Sequence, residues 1–391
     1  MPQSVHHRYL DDRESSIQWD DESDLTMLVE TRAGEIQTRY GRFVGGASDQ
    51  VEVVQIDTGV ARVMILPTRG MAIWYIESGG TRFGWQSPVA GPVHPSLVPV
   101  LDPSGIGWLE GFDELVVRCG LESNGAPEHD ENGQLVHPLH GRIGNLPADS
   151  LAIEYDEASG RLELIGEICE SKLFFKNLKL RSRLRVQAGS GQIDLLDDVT
   201  NQLSTSTTMQ LLYHINLGTP LLGDGAVVEA PIAELAPKDA LAASEIEDWN
   251  RYGEPESGYN ERVYFAKLVA DDSNESTVML RDAASTHGFA VNINTTGLPR
   301  FIVWKNTGDE RDGYVTGLEP ATNFPYQKSY EAEQGRVVEL QADQTVSFRL
   351  SLKPLPDAEA VSEVSKRIAG LQEDCSSKVH TAPRPGWSPG A

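Results

Sequence analysis

A chain of 391 residues, 39% hydrophobic and 23% charged, has the makeup of a soluble globular protein and can bury one large core or two ordinary ones. Its 33 Lys and Arg against 58 Asp and Glu leave a net charge of −25. Such a surface repels phosphate backbones and anionic lipid, so nucleic-acid and membrane partners are disfavoured.

The first segment, residues 1–25, is polar and acidic and reads as an arm without the apolar run of a signal peptide. No window approaches 18 apolar residues, so no membrane span is expected. Cys119, Cys169 and Cys375 are an odd number without a C-x-x-C pair. That argues against a disulfide framework and a zinc knuckle, and fits a reducing, cytoplasmic setting.

Period-two alternation then dominates. "VEVVQIDTG", "ARVMILP", "RLELIGEI", "GQIDLLDDVTN" and "STVMLRD" read as strands. In "NLKLRSRLRV", Leu178, Leu180, Leu184 and Val186 point one way, and Lys179, Arg181, Arg183 and Arg185 the other. "TVSFRLSLK" repeats this with Val346, Phe348, Leu350 and Leu352 inward. Many strands with short turns predict an all-β fold, a large antiparallel β-sandwich, as one domain over residues 26–355. A short C-terminal helix follows in "DAEAVSEVSKRIAGLQ": Val361, Val364, Ile368 and Leu371 share a face and Asp357 can cap it. Together with a Pro- and Gly-rich loose tail it makes up residues 356–391.

Five segments break the strand rhythm. In "LPTRGMAI", Arg69 can fork hydrogen bonds to a ligand oxygen, or pair with an acidic side chain. In "GWLEGFDELVVRCGLESNG", Trp108 and Phe112 offer platforms for a sugar ring, or ordinary core aromatics; Cys119 reads as a small buried residue. "HPLHGRIGN" holds His137, His140 and Arg142, with Gly141 and Gly144 able to let backbone approach a ligand. In "LLYHINLG", His214 and Asn216 form a polar pair on one face of an apolar strand. In "VTGLEPATNFPYQ", Glu319 ends an apolar strand, where a carboxylate is costly unless paired or used. A carboxylate and histidines on strand ends suit proton transfer at a polar small molecule. No phosphate-binding loop or G-x-S-x-G elbow appears.

These segments, in this order, resemble the galactose mutarotase (aldose 1-epimerase) superfamily over residues of about 35 to 355. "LHGRIGN" resembles its first-histidine loop, "DDVTN" followed by "LLYHINLG" its second histidine, and "GLEPATN" its glutamate motif. The resemblance implies the supersandwich fold and a cofactor-free isomerase that interconverts sugar anomers. It assigns Glu319 as the general base taking the anomeric proton, and His214 as the general acid for the ring oxygen. It places His140 beside the sugar; the residues themselves, read without the resemblance, add Trp108, Asn216, Arg69, His137 and Arg142 as further binding candidates. Arg142 stands where the family usually has glycine. The extra cations Arg69, Arg142 and His137 point to an acidic or modified sugar. Two alternatives stay open. One is a non-catalytic carbohydrate-binding protein. The other is a metal-dependent sugar isomerase or lyase with His137, His140, His214 and Glu319 as ligands. Nothing selects an oligomeric state.

Overall fold

The alternating segments form strands because only an extended backbone puts their apolar residues on one side. In Lys176–Gln187 the four expected apolar residues are buried. The basic residues on the wet face meet carboxylates of the neighbouring strands: Arg185 Nε lies 2.8 Å from Glu163 Oε1, and Arg183 Nη2 2.8 Å from Asp198 Oδ2. Such cross-strand charge pairs set register as well as adding modest stability.

The computed structural model describes residues 13–389. Two large sheets form a sandwich, one of 15 strands and one of eight, with a separate two-stranded ribbon. Neighbouring strands are antiparallel except where Lys378–Val379 runs parallel to Ile232–Pro237. Between the sheets lies the main core, with Ile56, Val63, Tyr213 and Ile215 from the first and Leu164, Leu180, Leu195 and Leu350 from the second. A buried ion pair joins the sheets: Arg118 Nε reaches Asp197 Oδ2 at 2.5 Å, Arg118 Nη2 donates to Ser182 Oγ, and Tyr213 Oη donates to the same Asp197 oxygen. Every charge in that cluster has a partner, which is the condition for burying it.

The larger sheet also has a second covered face. In Thr207–Gly218, Leu211, Tyr213, Ile215 and Leu217 face the sandwich core. Leu212, His214 and Asn216 therefore face the other way. There Leu212 joins Val117, Cys119, Phe265, Ile302 and Phe324 in a second apolar cluster.

The C-terminal helix spans Ala358–Gln372, with Asp357 Oδ1 accepting from Ala360 N at 2.8 Å. Val361, Val364 and Ile368 pack on Met279, Ala290 and Leu355, and Leu371 is half-buried. The tail expected to be loose is docked. His380 Nε2 and Arg384 Nε both reach Glu234 Oε1 at 2.8 Å, and Trp387 is buried against Phe324. A Pro- and Gly-rich composition hid the aromatic anchor Trp387 and the His380 and Arg384 side chains that hold the segment down. The expected N-terminal arm lies partly outside the described residues. From residue 13 onward it is packed: Ile17–Asp20 pairs with Gly34–Phe43, and Arg13 Nη1 binds Asp113. No helix among the described residues is long and apolar enough to cross a membrane. The three cysteines are free, Cys119 buried and Cys169 exposed.

Candidate active site

Strand register builds the centre of the site. Thr207–Gly218 pairs with Tyr314–Ala321 so that Leu212 faces Ala321 and Ile215 faces Leu318. That register sets His214 directly across from Glu319, on the face turned away from the sandwich core. His214 Nε2 lies 3.3 Å from Glu319 Oε1. The side chains are almost fully buried, with His214 4% and Glu319 2% exposed. One strand further on, Ile302 pairs with Glu319 and Trp304 with Gly317, which brings Trp304 to the same face.

His214 is oriented from behind. Its Nδ1 lies 2.5 Å from Asn216 Oδ1. The Asn216 amide nitrogen reaches two carbonyls, Glu114 O at 2.9 Å and His214 O at 3.2 Å. Carbonyls only accept, so the amide nitrogen donates to them and its oxygen faces the ring. His214 therefore carries its proton on Nδ1 and leaves Nε2 as an acceptor. Asn216 was expected to touch the ligand; it is fully buried behind the histidine and does not line the cleft.

His140 approaches from a loop over the same face. Its φ is +57° and that of Gly141 +71°. A side chain at Gly141 would sit 2.1 Å from Ser123 O, so only glycine lets the loop pass this backbone. Gly144 likewise packs against Val117 and the Arg118 carbonyl. Both glycines thus serve contacts within the protein, where the sequence had suggested approach to a ligand. His140 Nδ1 lies 3.0 Å from the Asn124 carbonyl and must donate to it, again leaving Nε2 as acceptor. Asn124 is held by a reciprocal amide pair with Asn323, at 2.9 and 2.8 Å. The "SNG" and "ATN" stretches thereby lock the histidine loop to the chain just beyond Glu319.

An aromatic box surrounds the imidazoles. Trp108 meets His140 edge-on at 4.6 Å between ring centroids, and the two histidine rings are 5.3 Å apart. Phe112 and Trp304 stand 5.1 and 5.2 Å from His214. Burial pushes His214 down to about 3, helped by neighbouring His140 and opposed by the Asn216 bond. Burial also lowers His140 to about 4, against the Asn124 carbonyl bond and Glu261. Glu319 is driven well above the usual carboxylate range, by burial first and then by Glu261. These side chains line a cleft of about 600 Å³ that also takes in Trp85, Tyr259 and Tyr326.

Other expected binding residues lie elsewhere. Arg69 is buried and fully engaged: Nε to Glu114 Oε1 at 2.5 Å, Nη1 to Asn145 Oδ1 at 2.7 Å and Val93 O at 3.0 Å, and Nη2 to Gly111 O at 2.7 Å. It braces the loop bearing Trp108 and Phe112 and does not line the cleft. Arg142 opens onto a separate hollow beside Val98–Asp102. His137 lies in the two-stranded ribbon, where burial lowers its pKa and Glu122 opposes the shift. Lys238 is the one lysine or arginine among the described residues lining the cleft, and it contacts Glu261 Oε1 at 3.2 Å. Glu261 Oε2 also accepts from Trp304 Nε1 at 2.8 Å. Sequence reasoning missed Lys238, Glu261 and Trp304. For Trp304 a signal existed: alternation in "RFIVWKN" puts Ile302 and Trp304 on one face. Among the described residues no group of three His, Cys, Asp or Glu is arranged to hold a metal ion. His137 in particular stands apart from the other three ligands that reading required.

Residues 48–353 match the family described as "Domain of unknown function (DUF4432)". No curated protein matches the chain. A solved structure from Klebsiella pneumoniae, described as a "putative aldose 1-epimerase", is 31% identical over 93% of each chain, with a TM-score of 0.86. More distant likenesses share the fold. A galactose mutarotase-like protein from Clostridium acetobutylicum is 12% identical over 78% of this chain and 96% of its own, with a TM-score of 0.54. Galactose 1-epimerase from Lactobacillus acidophilus is 12% identical over 82% and 99%, with a TM-score of 0.53. The chain thus belongs to the DUF4432 family, is similar to the Klebsiella protein described as a putative aldose 1-epimerase, and shares the fold of galactose mutarotase-like proteins.

Proposed function

We propose that the protein is a sugar mutarotase-like isomerase whose acid–base pair is His214 and Glu319, with His140 holding the sugar beside them. The observation that supports this most is the direct cross-strand placement of His214 and Glu319, 3.3 Å apart, on the floor of an aromatic cleft. Anomer interconversion needs one group to take the O1 proton while another protonates the ring oxygen, so that the C1–O5 bond can open. Two groups within hydrogen-bond reach of one sugar ring can do both. Acid–base catalysis of this kind is worth about 10²–10⁴-fold, useful for a reaction that already runs slowly in water. Trp108, Phe112 and Trp304 supply apolar faces for the C–H side of a sugar ring.

The substrate that suits this cleft is a neutral sugar. The cations that pointed to an anionic ligand, Arg69, Arg142 and His137, do not line it. The lysine that does is already paired with Glu261. Glu261 and Asp312 would also oppose an anion. Acceleration of anomer exchange, followed by NMR and lost in Glu319→Gln, tests the reading. Sugar binding without acceleration would make it a carbohydrate-binding protein instead.

A further inference from the structure

We infer that the hollow at Arg142 is a second ligand site, for a small monocarboxylate with an apolar body, and that its occupancy is felt at His214.

The hollow has a volume of about 480 Å³ and shares no lining residue with the cleft that holds His214 and Glu319. Ile143–Asn145 is one 3₁₀ turn, closed where Asn145 N donates to Arg142 O at 2.8 Å. Side chains three residues apart eclipse in such a turn, so Arg142 and Asn145 leave it on the same side. Both line the hollow. The half-buried Arg142 guanidinium has no hydrogen-bond, ion-pair or ring partner among the described residues. Asn145 is only 7% exposed. A guanidinium only donates, so Arg69 Nη1 fixes Asn145 Oδ1 as the edge turned toward it, at 2.7 Å. The opposite edge, Nδ2, is buried and has no acceptor. A buried donor in that state costs free energy that an acceptor brought into the hollow would return.

The walls select the ligand. Val98, Val100, Leu101 and Leu146 line the hollow with hydrocarbon, and Leu101 is 62% exposed. The backbone amides of Val98, Val100 and Asp102 are spent on carbonyls of their own loop, and Pro95 and Pro99 have none to offer. Arg142 and Asn145 therefore supply the free donors. One guanidinium, sharing the hollow with Asp102 on a chain of net charge −25, favours a single negative charge over two. A carboxylate on a short hydrocarbon body meets these conditions. It takes charge-assisted hydrogen bonds from Arg142, offers an acceptor to Asn145 and covers Leu101.

A chain of hydrogen bonds runs from this site to the cleft. Arg69 Nη1 donates to Asn145 Oδ1, and Arg69 Nε donates to Glu114 Oε1 at 2.5 Å. The Glu114 carbonyl accepts from Asn216 Nδ2 at 2.9 Å, and Asn216 Oδ1 meets His214 Nδ1 at 2.5 Å. All five residues are buried, where linked hydrogen bonds polarise one another. Arg69 also holds Gly111 O, in the loop that bears Trp108 and Phe112. An anion drawing on Asn145 thus acts on the arginine that steadies both the histidine and the aromatic loop.

Titration calorimetry of the whole protein with butyrate at pH 7 tests the site. Saturable one-to-one binding is expected, with none for butyramide, which lacks the charge, or for inorganic phosphate, which lacks the hydrocarbon. Arg142→Ala should weaken butyrate at least about tenfold, as loss of a charge-assisted hydrogen bond does. Asn145→Asp keeps an oxygen for Arg69 and turns a second toward the hollow, so it should abolish binding. No saturable binding of butyrate, or undiminished binding in Arg142→Ala, would overturn the site. If Asn145→Asp does not fold, Arg142→Ala still decides, since its side chain has no partner to lose. Phosphate bound as tightly as butyrate and lost in Arg142→Ala would overturn the ligand class. The ¹⁵N signals of His214, those missing in His214→Gln, should shift when butyrate is added to wild type and stay fixed in Arg142→Ala. Binding without that shift would overturn the link to His214. All of these readouts are taken without sugar, so their failure leaves the mutarotase reading standing, and absence of anomer exchange leaves the second site standing.

Discussion

A methyl group at Gly317 would sit 2.5 Å from Glu319 Oε1 and 3.2 Å from His214 Cε1, so the bare backbone at position 317 is what lets the pair meet. Gly317 lies two residues before Glu319 on the same strand face. Gly317→Ala should leave the sheet folded while pushing the carboxyl group aside. Misplacements near 1 Å cost about 10²-fold in rate, so kcat should fall by one to two orders of magnitude with thermal stability little changed. Undiminished kcat would show that the carboxyl group has another productive position.

Arg69 separates a binding role from a structural one. If it held substrate, Arg69→Ala would raise KM and spare stability. In this structure it fills a buried pocket and pairs with Glu114, so its removal strands a carboxylate and loosens the Trp108 loop. Breaking one side of a buried pair costs about 3–5 kcal/mol. Urea denaturation should show a large drop in midpoint, and a midpoint equal to wild type would contradict this placement.

The site's own titrations set a pH dependence of stability. His214 and His140 have folded values of about 3 and 4 against an ordinary 6.5. The unfolded chain therefore binds protons first as pH falls. Their contribution is intact above about 6.5 and is lost progressively from there down to the folded values. Glu319 acts from the other side. Its folded value is raised, so the unfolded chain ionises first, and stability is lost as pH rises above the ordinary carboxylate value of 4.5. Glu319→Gln should consequently abolish catalysis and yet unfold at a higher temperature than wild type at pH 7–8. Scanning unfolding midpoints across pH would reveal this, and a lower midpoint for the variant would count against a raised value for Glu319.

Ligand charge can be probed at residues on and off the cleft. Arg142→Ala and His137→Ala should leave sugar affinity unaltered, since neither side chain lines the cleft. Trp304→Ala should weaken it by about 2 kcal/mol, roughly thirty-fold, as loss of a buried aromatic anchor does. Calorimetry with a neutral sugar and its uronic acid would check both, and a marked preference for the acid lost in Arg142→Ala would restore the anionic-substrate reading.

Alternation made the sandwich legible because a strand's period of two is written in every second residue, as at Leu178 to Val186. The same period put His214 and Asn216 on one face, though it could not show that Asn216 lies a layer deeper. Trp108, His140, His214 and Glu319 stood out as polar or aromatic groups interrupting apolar runs, and the structure brings all four to one cleft. Arg69 misled because an arginine before glycine reads alike whether its donors face a ligand or Glu114, 45 residues onward. Lys238 and Glu261 carry no local mark. They reach the cleft only because Ile232–Pro237 and Arg262–Leu268 run side by side.

Anomer exchange measured by NMR on wild type and Glu319→Gln, across neutral hexoses, deoxysugars and uronic acids, tests the central claim most directly. The account predicts acceleration by wild type on a neutral sugar and none by the variant. No acceleration on any of these sugars, or equal acceleration by both proteins, would contradict it.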